Sequence, residues 1–125
     1  MTYVEIAGPP RVDGSYMGRP LRVPLNCAPD HTWQVRLSTA PPSERIRYTE
    51  VDGDSLLVFP AHGWVEQEEE VLDTVVGLLE HANREYFEAR RTREEAEARA
   101  LDERERAEAE REERLAGWWD SRQDG

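Results

Sequence analysis

The chain of 125 residues contains no lysine, so all 16 of its basic residues are arginine. An arginine-only basic set is what GC-rich codon usage gives, so arginine in place of lysine is no evidence of bidentate recognition here. Positive charge is scarce overall. The 16 Arg face 27 Asp and Glu, for a formal net charge of −11. Counterion release needs a basic surface, so a nucleic-acid partner is not expected, and an anionic membrane surface is disfavoured too. No apolar run approaches the ~18 residues of a membrane-spanning helix. Met1 to Pro10 has neither a basic nor an apolar leader region, so no secretory signal is expected and a soluble cytoplasmic protein is. The single cysteine, Cys27, excludes an internal disulfide.

Proline and glycine are missing from most of the second half. All eight prolines lie at or before Pro60, and Trp64 to Ala116 contains one glycine, Gly77. Charge divides at the same place. Residues 1–63 carry a net of −1 and residues 64–125 a net of −10. These shifts predict a β-rich half over 1–63 and a core-covering helical stretch over 64–89. A charged Arg/Glu/Ala arm over 90–117 and a tail over 118–125 follow.

In the first half, Trp33, Val35 and Leu37 alternate with Thr32, Gln34, Arg36 and Ser38. A period of two predicts a strand over 32–38, opened by Asp30-His31. Asp52-Gly53 between Ile46–Val51 and Ser55–Phe59 predicts a hairpin. That turn would set Tyr48 against Leu57 and Ile46 against Phe59, four residues forming one apolar face. Leu56 and Val58 fall on the other face, so this strand should be central. Thr2 to Ile6 is a weaker strand candidate. Leu21 to Leu25 is another, and Pro20 and Pro24 assign it to an edge.

The second half reads as one helix from Trp64 to Ala116. His62 or Gly63 would cap it, and Glu66, Glu68, Glu69, Glu70 and Asp73 suit its positive end. Leu72, Val75, Leu79, Ala82, Tyr86 and Ala89 form an apolar stripe, widened by Val71, Val76, Leu78 and Phe87. Leu72, Val75, Leu79 and Tyr86 should carry the packing on the sheet. Beyond Phe87, opposite charges recur four residues apart, among them Arg90 with Glu94 and Asp102 with Arg106. Each such pair adds ~0.2–0.5 kcal/mol to an isolated helix, so this segment needs little tertiary support. Such a helix is roughly 80 Å long, against a radius of gyration of roughly 12 Å for the body. Its last part should project, pair with another chain, or fold back. The stripe continues as Arg93, Ala96, Ala100, Glu103 and Ala107, poor residues for a coiled-coil seam.

Few residues point to chemistry. Gly53-Asp54-Ser55-Leu56 matches the four-letter name of a serine hydrolase family, but here it spans a hairpin turn. That chemistry needs a strand-to-helix turn and a partnered histidine. Cys27, His31 and His62 are the plausible nitrogen or sulfur donors of this half, and they lack the paired short spacing common in zinc sites of three or four ligands. No catalytic residue, cofactor site or metal site is expected. The fold class expected is α+β: a small antiparallel sheet of three to five strands on the first half of a long C-terminal helix whose charged second half projects. The function expected is a non-catalytic interaction or assembly module, using the charged helix as a spacer or coiled-coil arm. Its partner would be another protein or a second copy. Trp118 and Trp119 are the candidate anchors, since tryptophan is enriched at binding hot spots. An acidic inhibitor or antitoxin-like protein, masking a basic surface with Glu66, Glu69, Glu70 and Asp73, is the alternative.

Overall fold

A computed structural model describes residues 1–15, 18–61 and 67–123. Its elements are β1 (Arg11–Val12), β2 (Leu21–Pro24), α1 (His31–Ser38), β3 (Ile46–Asp52), β4 (Ser55–Pro60) and α2 (Glu68–Gln123). The four strands form one antiparallel sheet in the order β1-β2-β4-β3. The fold is α+β, with α2 packing on the sheet. Contacts divide the chain into two units, Met1–Phe87 and Glu88–Gly125.

Residues 32–38 are helical, not a strand. Trp33 and Leu37 are buried, while Val35 is 46 % exposed. Positions 33 and 37 satisfy both a period of two and a helical spacing of four, so Val35 decides between them. Asp30 starts the helix instead of a strand. Its Oδ1 accepts the Trp33 backbone N–H at 2.8 Å, the bond of an N-cap.

The hairpin forms with its register displaced by two residues from the expected one. Tyr48 faces Phe59, Glu50 faces Leu57, and Asp52 faces Ser55. The loop is therefore Gly53-Asp54, and Gly53 supplies the left-handed backbone with φ +60°. The Tyr48 and Phe59 rings stack with centroids 4.1 Å apart. An irregularity between Ile46 and Tyr48 sends Ile46 into the core with Leu56 and Val58, separating it from Tyr48. Ile46, Tyr48, Leu57 and Phe59 thus do not form one face. β4 is central, between β2 and β3, and buried on both sides.

β2 is not an edge, because β1 pairs outside it. Pro20 and Pro24 sit at its margins, where a missing N–H leaves the ladder intact. Thr2–Ile6 forms no strand and has a single bridge, Ile6 to Leu25. Side-chain amides hold this segment instead. Asn26 Oδ1 accepts the Glu5 N–H and its Nδ2 donates to the Tyr3 carbonyl, both at 2.9 Å. Asn83 of α2 does the same at Val4. Its Oδ1 accepts the Val4 N–H at 2.9 Å and its Nδ2 donates to the Val4 carbonyl at 2.9 Å. The same Oδ1 accepts Trp33 Nε1–H at 3.0 Å. Tyr86 OH adds a bond to Asp30 Oδ2 at 3.0 Å, joining α2 to the α1 cap.

The buried stripe of α2 is Val71, Val75, Leu79 and Ala82, with Leu72, Leu78 and Tyr86 partly buried beside it. Val75, Leu79 and Ala82 are buried as expected, and Leu72 and Tyr86 only partly; of the flanking residues, Val71 is fully buried and Val76 is exposed. The expected cap at His62 or Gly63 lies outside the described residues. The helix also runs through Gly117 to Gln123, past its expected end at Ala116.

On the sheet, Arg22 ties β1 to the hairpin. Its guanidinium meets Asp13 at 2.7 Å and Asp52 at 3.0 Å. Asp13 also accepts the Ser15 backbone N–H and hydroxyl. The Ser15 bonds first, and then Arg22, hold the Asp13 carboxyl at about 2, below the usual 3.8. A carboxyl depressed on folding stabilises the fold above its unfolded pKa and loses that contribution as pH falls through the folded value. The wild type should therefore lose stability between about pH 4 and pH 2 more steeply than Asp13→Asn. Urea midpoints across that range test this, and parallel slopes would contradict it.

Candidate interaction surface on the C-terminal helix

From residue 91 to residue 123 every side chain is exposed. Glutamate, alanine and arginine favour the helix intrinsically, and ion pairs one turn apart support it. Arg90 Nε meets Glu94 at 3.1 Å and Arg106 Nη2 meets Asp102 at 3.0 Å. Such exposed pairs add a few tenths of a kcal/mol each, ~0.3–0.5. They support a helix without requiring a core beneath it.

Four large apolar residues stand out on this polar helix. Leu101, Leu115, Trp118 and Trp119 are 53 %, 59 %, 58 % and 57 % exposed. The helix continues past Gly117, so Trp118 and Trp119 are helical residues with fixed neighbours. Leu115 lies three and four positions before them and shares their side of the helix. Arg122 places its guanidinium 5.1 Å from the Trp118 ring centroid. Sequence reasoning found the tryptophans and missed Leu115. The signal was its spacing, which counts only if Gly117 does not end the helix.

The acidic candidates divide. Glu69, Glu70 and Asp73 are exposed at the start of α2, and Glu66 lies outside the described residues. Glu70 and Asp73 line an open groove of about 310 Å³ together with Arg45 and Thr74. Arg45 brings a cation into the groove that the sequence did not place there. Glu69 is not among its lining residues.

The residues weighed for chemistry have structural places. Cys27 packs partly buried against the core, His31 is the exposed first residue of α1, and Ser55 is buried at the start of β4. Among the described residues, no three His, Cys, Asp or Glu side chains converge as a metal-ligand set. Among them, too, no helix is long and apolar enough to cross a membrane. No protein-family model, curated protein or solved structure matches the chain.

Proposed function

We propose that this chain is a non-catalytic protein-interaction module whose docking element is the C-terminal part of α2. One observation carries the reading. Leu115, Trp118 and Trp119 are each more than half exposed on one stretch of helix that is otherwise charged or small. Large aromatics lose apolar hydration on docking and have few torsions to freeze, which makes them efficient anchors. The Arg/Glu/Ala segment before them acts as a helical spacer. The unit Met1–Phe87 is the folded base that carries the spacer.

A photoreactive residue at position 118 or 119 tests the proposal in cells that express the protein natively. Discrete adducts with a polypeptide, from these positions and not from Glu95, are expected. Absence of adducts from both positions contradicts the reading. Trp118→Ala/Trp119→Ala should reduce capture at a probe placed at Leu115 roughly tenfold or more, with the melting temperature unchanged.

The acidic-inhibitor reading is the second. The exposed carboxylates of Glu69, Glu70 and Asp73 favour it, and Arg45 beside Glu70 and Asp73 weighs against it. Binding steered by this cluster would fall steeply with salt, whereas apolar docking through Trp118 and Trp119 would not.

A further inference from the structure

We infer that the exposed face of α2 around Leu101, Leu115 and Trp118 is self-complementary and takes the same face of a second copy, running antiparallel. The inference rests on the reading of α2 as a docking element and names its partner.

Leu101 and Leu115 are 14 residues apart, two heptads, and Trp118 follows Leu115 by three. In one heptad frame the leucines therefore occupy a positions and Trp118 a d position. The positions between them in the same frame are Arg104, Glu108 and Arg111. Charged residues in a seam are ordinarily unfavourable, and their signs decide which alignment is tolerated.

A parallel, in-register pair sets each residue against itself. Arg104, Glu108 and Arg111 would all meet like charge. An antiparallel pair sets a positions against d positions. When Leu101 faces Trp118 of the partner subunit, Glu108 faces Arg111 of the partner subunit. In the same alignment Glu97 faces Arg122 of the partner subunit. Arg104 faces Leu115 of the partner subunit, where its aliphatic stem covers the leucine and its guanidinium reaches solvent. The two-fold axis repeats every layer, so no layer holds like charges. Sliding the copies by one heptad removes the Leu–Trp layers in both directions, and one of those slides sets Arg104 against Arg122 of the partner subunit. At the rim, Glu105 approaches Glu112 of the partner subunit, a repulsion that salt screens.

Sedimentation equilibrium of the full chain tests this. The mass should rise from 14.4 kDa towards twice that value as concentration increases. Glu108→Arg puts arginine against arginine in two symmetric layers and should move the midpoint to roughly tenfold higher concentration. Glu108→Arg with Arg111→Glu exchanges the signs and should restore it. These side chains are exposed, so circular dichroism should stay unchanged in each variant. Orientation is read by oxidation in a Cys27→Ser background. Leu101→Cys mixed with Trp118→Cys should form the mixed disulfide in preference to either like pair. A mass of 14.4 kDa at every concentration, no rescue by the double exchange, or preferred like-pair disulfides would overturn the inference. Adducts with a different polypeptide from positions 118 and 119, combined with a monomeric mass, would overturn it while leaving the docking reading standing.

Discussion

Replacing Asn83 with alanine should destabilise the unit Met1–Phe87 by about 3–5 kcal/mol, among the largest effects of any single substitution in the chain. Asn83 is only 7 % exposed and uses both ends of its amide. Three groups lose their partner together: the Val4 N–H, the Val4 carbonyl and Trp33 Nε1–H. Each buried polar group left unpaired costs about 1–3 kcal/mol, and relaxation recovers part of the sum. For a domain of this size the melting temperature should fall by roughly 15–25 °C. Asn83→Leu separates polarity from volume, because it fills the space and still leaves Val4 and Trp33 unpaired. It should be destabilised almost as much. A leucine variant as stable as wild type in thermal and urea unfolding would show that the amide is not the tie described here.

Trp33→Ala should cost a similar amount, about 3–5 kcal/mol, for a different reason. Its ring is fully buried among the core residues of β2, β4 and α2, and truncation leaves a cavity that the sheet cannot close. Trp33→Phe keeps most of the volume and loses the Nε1–H donor, so about 1–2 kcal/mol is expected. The two positions share one hydrogen bond. Urea unfolding of Trp33→Phe/Asn83→Ala should therefore give a loss smaller than the sum of the single losses. A strictly additive result would contradict the shared bond.

These ties explain what the sequence conveyed and what it did not. The hairpin was legible because Asp52-Gly53 between apolar runs is a strong local signal. Its register was not, because Gly53-Asp54 forms the loop and a displacement of two preserves the alternation of faces. The helix over the sheet was legible from its stripe: Val75, Leu79 and Ala82 are buried as expected, and Val71 is buried more fully than Leu72. Residues 32–38 misled because Trp33 and Leu37 fit both periods, and the informative residue was Asp30, a helix cap. The N-terminal segment was obscure because amides of Asn26 and Asn83 hold it in place of a strand ladder. Such long-range side-chain bonds leave no periodic trace. Asn83 carried one weak signal, an uncharged amide on the apolar side of a helix. On the docking surface, Trp118 and Trp119 were visible as residue types. The face they share with Leu115 required knowing that the helix passes Gly117.

The two units rest on different physics. Met1–Phe87 contains the apolar core, so its stability should be sensitive to Asn83 and Trp33. Residues 91–123 bury nothing in the chain itself, so substitutions there should leave folding unchanged and affect association alone. The central claim is that α2 beyond Phe87 serves association. The most direct test compares the solution mass of the full chain with that of a chain ending at Phe87, by light scattering at matched concentrations. The account predicts that the full chain associates above 14.4 kDa and that the shortened chain stays a folded monomer. Association of the shortened chain to the same degree as the full chain would contradict it, and a monomeric mass for both chains would overturn self-association while leaving docking to another polypeptide standing.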